Sequence, residues 1–255
     1  MAAFPLMLPR TSRPPKLVVF DLDHTLIACD ATILWTEFLY EKKIVTDPIW
    51  RQYDRDMVKS YAKGVLDIRD FCRKHAGAFR SIPEEKLHAL AQEFAKKKIA
   101  PLIFPDGKKW AKNALQANIP ACVLSASAAF IVKPIAKLFG LTDAMGIELA
   151  FKDGFCTGEI VGIPTFQEGK VERLSQRLAE AGIGFEDVLF FTDSRNDLPL
   201  AERAGYTVCV NPDAVLESAA RKNGWKVAEW KLSLRTQMTA QVDAKGVPET
   251  QTVRS

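Results

Sequence analysis

Four short apolar runs organise this chain, and three of them break directly into a carboxylate or hydroxyl side chain. Lys16–Phe20 (KLVVF) runs into Asp21-Leu22-Asp23, and Ala121–Leu124 (ACVL) into Ser125. Val188–Phe191 (VLFF) runs into Thr192-Asp193, and Tyr206–Val210 (YTVCV) into Asn211-Pro212-Asp213. Short, valine-rich runs bounded by polar residues read as strands covered on both faces, the pattern of a parallel sheet. Helical patterns alternate with them: Ala128–Phe139 up to Gly140, Gly169–Glu180 up to Gly182, and Leu198–Ala204 up to Gly205. A glycine just past the last periodic residue is a common helix stop. The alternation predicts an α/β fold, a doubly wound parallel sheet.

One interval breaks the alternation. From Asp30 to Ala100 there is no strand pattern, only helical ones: Thr32–Lys42, Tyr53–Lys63, Ile68–Ala78 and Glu84–Ile99, the last with a capping-box spacing Ser81-x-x-Glu84. The expectation is an all-helical cap inserted after the first strand, beside the end where that strand's polar residues emerge. Glu148–Gly162 reads as a β-hairpin turning at Lys152-Asp153-Gly154. The predicted organisation is an N-terminal tail (1–15), a core (16–29 and 101–230), a helical cap (30–100) and a C-terminal tail (231–255).

Composition excludes several classes. At 47% apolar and 26% charged, the 255 residues can bury a core, and intrinsic disorder is ruled out. No apolar run approaches the ~18–20 residues of a membrane span. The net charge of +4 sits in the ends: residues 1–16 hold Arg10, Arg13 and Lys16 with no acid, and residues 226–255 hold more bases than acids. The body between them is close to neutral, and no interleaved aromatic-basic patch marks a nucleic-acid partner. Five cysteines, scattered singly without a CxxC, read as reduced thiols of a cytoplasmic protein. MAAFPLML lacks the basic start and length of a signal peptide. The oligomeric state is left open.

The polar side chains that carry chemistry fall at strand ends: Asp21 and Asp23 after the first, Ser125 after the second, Asp193, Asn196 and Asp197 after the third. Ligands of open parallel sheets bind at the carboxyl ends of strands. Clustered carboxylates repel unless a cation sits among them, and oxygen-only ligands suit a hard divalent ion, Mg²⁺ by availability. No Cys or His stands at zinc-ligand spacing. Lys170, directly after Gly169 at a helix start, can bring an ammonium to the same place. Metal, lysine, hydroxyl and free backbone N–H groups together hold a phosphoryl group.

The segment Asp21-Leu22-Asp23-His24-Thr25 resembles the DxDxT motif of the haloacid-dehalogenase superfamily. Ser125, Lys170 and Asp193-Ser194-Arg195-Asn196-Asp197 resemble its later motifs, in order. The helical insertion resembles the cap of the phosphoserine-phosphatase-like branch, subfamily IB. Gly162–Lys170 with Thr192–Leu200 is similar to a bacterial group that includes histidinol-phosphate phosphatases.

The resemblance implies a hydrolase of small phosphate esters with Asp21 as nucleophile and Asp23 as acid and base. An acid at Asp23 disfavours dehalogenation. It implies Mg²⁺ held by Asp21, the Asp23 carbonyl and Asp193, with Asp197 and Asn196 orienting those ligands. Ser125, Ala126, Lys170 and Leu22 would bind the phosphoryl oxygens. In the cap, Asp30 stands where an acid binds a substrate amine, and Arg73 near where an arginine binds a substrate carboxylate. Asp30 suits both phosphoserine and histidinol phosphate, whereas Arg73 in that role favours phosphoserine. His24 reads as a backbone contributor, and His75 and His88 as ordinary cap residues. A non-catalytic, phosphate-sensing module of the same fold is the alternative, disfavoured because a binder does not need both Asp21 and Asp23.

Overall fold

The computed structural model describes residues 14–233, so the expected tails lie almost wholly outside the described residues. The first strand, β1 (Leu17–Phe20), is followed by four helices: α1 (Ala31–Glu41), α2 (Ile49–Lys63), α3 (Ile68–His75) and α4 (Glu84–Phe94). Then come α5 (Pro105–Gln116), β2 (Ala121–Ala128), α6 (Ala129–Lys137) and β3 (Asp143–Ile147). A hairpin of β4 (Leu149–Lys152) and β5 (Phe155–Ile160) precedes α7 (Glu168–Ala181) and β6 (Val188–Thr192). The chain closes with α8 (Leu198–Ala201), β7 (Tyr206–Val210), α9 (Ala214–Asn223) and β8 (Lys226–Ala228). Among the described residues no helix is long and apolar enough to cross a membrane.

Six strands form one parallel sheet in the order β3-β2-β1-β6-β7-β8. Alternation along each strand splits its side chains between two cores. Val18, Phe20, Val123, Leu189 and Phe191 face the core shared with Trp35, Phe94 and Phe130 of the helices. Leu17, Val19, Cys122, Leu124, Val188 and Phe190 face the core under α7, with Val171 and Leu174. Burial on both faces explains the unbroken apolar runs, and the predicted doubly wound α/β sheet is the observed one. Two strands escaped the sequence reading. β8 has three residues, and β3 (DAMGI) carries a glycine and an acid in place of a valine run.

The chain winds outward from β1 through β2 and β3, then returns to β1's other side as β6. The order therefore reverses between β1 and β6, where the crevice of an open α/β sheet lies. Phe20 pairs in register with Phe191, so Asp21 and Asp193 leave neighbouring strands side by side.

The named elements of 30–100 are all helical, as expected, and the hairpin packs against them from outside the insertion: the Glu84 N–H donates to the Gly154 carbonyl at 2.8 Å, and Pro83 bridges Phe155. The capping box does not form. Pro83 occupies the N-cap of α4 without a side-chain cap, and the hairpin supplies an acceptor that Ser81 was expected to be. The hairpin turn itself is as read, with Asp153 (φ 52°) and Gly154 (φ 80°) both left-handed, as a two-residue type I′ turn requires.

Candidate active site

Lys170 is the centre of the site. It is buried to 1% exposure, and its Nζ lies 2.7 Å from Asp21 Oδ1 and 2.7 Å from Asp197 Oδ1. Three separate segments thus meet on one ammonium: the end of β1, the start of α7 and the turn after β6. Gly169 makes the approach possible, since a Cβ there would sit 1.9 Å from the Pro164 carbonyl oxygen. Burial works against the charge on Lys170, yet Asp197 and Asp21 hold the ammonium above its ordinary value. Thr192 Oγ1 donates to Asp197 at 2.7 Å and fixes it.

Asp21 is buried, and that burial raises it; Lys170 and the Leu22 N–H oppose the shift and Asp23 adds to it. Asp193 is raised well above the ordinary range, first by burial, then by Asp21 and Asp197. Thr25 Oγ1 donates to Asp193 at 3.0 Å, tying the first loop to the last. Asp23 has different surroundings. It accepts from the Ala31 N–H at 2.7 Å, Ser127 Oγ at 2.8 Å and Ser125 Oγ at 3.2 Å. Burial, with Asp30 adding, pushes it up to about 6, so this carboxyl can hold a proton near neutrality.

Not every expected residue sits as read. β2 runs on past Ser125, whose hydroxyl is spent on Asp23 and on the Ser127 N–H (3.0 Å). Asn196 turns away from the acids, donating to the Tyr61 carbonyl at 3.0 Å and Ser194 Oγ at 3.3 Å. Asp30 lines the pocket and spends one oxygen capping α1, accepting from Thr32 N–H (2.9 Å) and Ile33 N–H (3.0 Å). His24 lines the pocket from a left-handed backbone (φ 55°). Arg73 is not brought to this site. It is exposed on the outer side of α3, in a separate cleft with Trp50, Tyr53, Lys74, Gly77 and Arg80.

Ser127, Thr192, Tyr61 and Gln167 were missed. Ser127 was findable, because residues two apart on a strand share a face and Ser125 and Ser127 both do. Tyr61 and Gln167 had no local signal.

The acids floor a cavity of about 470 Å³. Its roof comes from the cap: Ile33 and Leu34 of α1, Met57, Val58 and Ala62 of α2, and Leu66, Ile68 and Phe71 around the start of α3. Among the described residues no lysine or arginine lines it, Lys170 being buried against Asp21. The charged cap groups are Asp30 and Glu37, and Glu37 is held by Arg51 through two 2.7 Å hydrogen bonds.

The family model for haloacid dehalogenase-like hydrolases matches residues 18–202. A histidinol-phosphatase from Neisseria meningitidis serogroup C is 35% identical over 220 residues, 85% of this chain and 99% of that one. A phosphoserine phosphatase from Mycobacterium tuberculosis is 27% identical over 84% of this chain and 70% of its own. Among solved structures, a protein of unknown function from Bordetella pertussis Tohama I superposes with TM-score 0.76 at 31% identity, covering 84% of this chain and 98% of that one. A substrate-bound phosphoserine phosphatase, 21% identical over 90% of this chain and 99% of its own, shares the fold with TM-score 0.64.

Proposed function

The chain belongs to the haloacid dehalogenase-like hydrolases, and from that premise we propose a Mg²⁺-dependent phosphatase that cleaves a small, amine-bearing phosphomonoester through an aspartyl-phosphate on Asp21. The single observation that carries the reading is the division of labour between two buried carboxylates. Asp21, raised by burial, lies on Lys170, whose charge opposes that shift and favours the ionised form a nucleophile needs. Asp23, two residues on, is hydrogen-bonded on both oxygens and raised to about 6, the state an acid needs.

In this reading Asp21 Oδ attacks phosphorus, the ester P–O bond breaks, and Asp23 gives its proton to the leaving oxygen. Water then attacks the same phosphorus, Asp23 takes its proton, and inorganic phosphate leaves with Asp21 restored. Lys170 and the Ala126 N–H receive the phosphoryl oxygens, with the Leu22 N–H as a further donor, and Ser125 joins them by turning its hydroxyl from Asp23.

The acids fit a divalent ion: Asp21, Asp23 and Asp193 line one pocket, Asp21 and Asp197 meet on Lys170, and Asp193 is raised first by burial and then by the charge of Asp21 and Asp197. Among the described residues no three His, Cys, Asp or Glu side chains close around a point. An ion here keeps waters, as Mg²⁺ does. Asp21, the Asp23 carbonyl and Asp193 would hold it, with Asp197 orienting the group. When bound it supplies charge neutralisation between nucleophile and phosphate.

For the substrate, the pocket supports an amine without a carboxylate. Asp30 suits a cationic group, the charge of Glu37 being met by Arg51, the apolar roof suits a flat or aliphatic body, and no guanidinium among the lining residues awaits a carboxylate. A histidinol-phosphate-like ester meets these demands, and the name of the Neisseria relative agrees with it. Phosphoserine would bury its carboxylate unpaired. Purified enzyme with Mg²⁺ is expected to favour histidinol phosphate over phosphoserine by about 10²-fold in kcat/KM, the discrimination an unpaired buried group gives. Equal turnover of the two would reject the substrate assignment. Turnover that survives EDTA would reject the metal.

A further inference from the structure

The end of α2 carries an arrangement that the phosphatase chemistry does not use. A helix C-terminus leaves its last carbonyls without intrahelical partners. Here core side chains reach the Tyr61 carbonyl of the last turn, which also accepts from the Gly64 N–H, and the carbonyl of the cap residue Gly64 itself. Asn196 Nδ2 donates to the Tyr61 carbonyl at 3.0 Å, and Gln167 Nε2 donates to the Gly64 carbonyl at 3.2 Å. The two amides are joined, with Gln167 Nε2 also donating to Asn196 Oδ1 at 3.1 Å. Gly64 caps α2 in the left-handed region (φ 72°), and the Arg195 guanidinium packs against it, 3.4 Å from where a Cβ would stand.

Gln167 is in an unusual backbone state. It has φ 49° and ψ −124°, and the Gly169 N–H closes the turn onto the Phe166 carbonyl at 2.9 Å. That is the first corner of a type II′ turn, a position glycine takes without strain and glutamine does not. Strain of this kind persists where surrounding contacts over-determine it, and it gathers at functional sites. The same turn delivers Lys170 three residues later. It also places the Phe166 ring 5.7 Å from the Tyr61 ring. The Tyr61 phenol, in turn, hydrogen-bonds Ser194 in the field of Asp197, Asp21 and Asp193.

We propose that Gln167, with Asn196, clasps the end of α2 and holds Tyr61 down over the phosphoryl site, which makes Gln167 a positioning residue for the hydrolysis. The inference rests on the phosphatase reading for its kinetic arm only. The clasp joins the lysine turn, the acid-bearing turn and the cap into one unit. Opening the pocket breaks it, and re-forming it brings Tyr61 back over the phosphoryl group and shuts out water.

Two substitutions separate this role from plain structural support. Gln167→Ala removes the side-chain donor and keeps a Cβ in the strained corner. Gln167→Gly removes the donor and relaxes the corner. Both are expected to lower kcat/KM for the best ester by the same factor, about ten-fold for two lost hydrogen bonds. The Gly variant should nonetheless melt higher than the Ala variant. Hydrogen exchange of α2 amides, with Mg²⁺ and inorganic phosphate present, should speed up equally in both.

Activity that tracks melting temperature, with Ala well below Gly, would make Gln167 a structural residue and overturn the clasp. So would kcat/KM within two-fold of wild type in both variants. If wild type hydrolyses no ester, the phosphatase reading fails, and the exchange measurement still decides the clasp: unchanged α2 protection in both variants overturns it.

Discussion

The floor of the pocket presents Asp21, Asp23 and Asp193, with Asp21 paired, alongside Asp197, to one buried lysine, whereas its roof presents Ile33, Met57, Val58, Leu66 and Phe71, with Asp30 and Glu37 as its charged groups. The floor belongs to strand ends and is held by short charged hydrogen bonds from three segments. The roof belongs to helices that pack by apolar contact. Under the proposed mechanism, charge at the floor would set the reaction, and shape and sign at the roof would set which ester reaches it. Substitutions should therefore split into two groups: floor changes that abolish turnover of every ester, and roof changes that shift stability or preference.

The largest effect is expected at Asp21. Asp21→Asn leaves Lys170 paired with Asp197 and removes the nucleophile. Turnover of p-nitrophenyl phosphate should fall by at least about 10³-fold, with an unchanged circular dichroism spectrum. Activity near wild type would end the aspartyl-phosphate mechanism.

Next comes Lys170→Met. It leaves Asp21 and Asp197 buried together without their cation, a loss of about 3–5 kcal/mol for a broken buried pair. Urea denaturation should show that loss in EDTA and a partial recovery with Mg²⁺, because an ion bound only to the folded state stabilises it. Identical curves with and without Mg²⁺ would place the ion elsewhere.

The roof has its own buried carboxyl, Asp54 of α2, which does not line the pocket. It is 4% exposed, lies 3.6 Å from His75 Nε2, and is pushed by burial from 3.8 up to about 7. His75 is pushed down to about 4 by burial, and it is neutral at pH 8. A raised carboxyl binds its proton more tightly folded than unfolded, so its stabilising contribution is full below pH 3.8 and is lost as pH rises through 7. Asp54→Asn should then gain on the order of 2–4 kcal/mol at pH 8 and almost nothing at pH 4. A variant destabilised at pH 8 would show that Asp54 is held as an anion by His75. Ester turnover at the floor should hardly change, which is the contrast this substitution tests.

How much of this was legible in the sequence follows the same divide. Asp21, Asp23, Asp193, Asp197 and Lys170 announce themselves because their local neighbours fix where they point: a strand that must end, or a helix that starts on a glycine. The roof depends on how helices turn in space. Phe71 and Arg73 both lie on α3, and at 100° per residue they point about 200° apart. The periodicity marks the helix without saying which face meets the pocket. The hairpin itself was legible, but its docking on α4, where the Gly154 carbonyl takes the Glu84 N–H, was not, nor was the strained corner at Gln167, which side-chain identity does not signal.

The smallest expected effect is at Arg73, and it is the sharpest test of the roof. If the pocket selected a carboxylate, some cation would have to enter it, and Arg73 is the one the sequence put forward. Its guanidinium instead lies on the outer face of α3, with Nε donating to the Arg69 carbonyl at 3.4 Å and Trp50, Tyr53 and Arg80 around its cleft. To reach the pocket, α3 would have to rotate by half a turn, which would expose Phe71 and bury the Lys74–Asp70 ion pair now at the surface. That exchange of apolar for charged surface opposes the rotation. Arg73→Ala should therefore leave kcat/KM within two-fold for both histidinol phosphate and phosphoserine. A selective loss of phosphoserine turnover would show the rotated helix in solution and give the roof a carboxylate site. Loss of both would give Arg73 a structural task in holding α3. With neither, selection at the roof falls to its acids and its apolar wall alone.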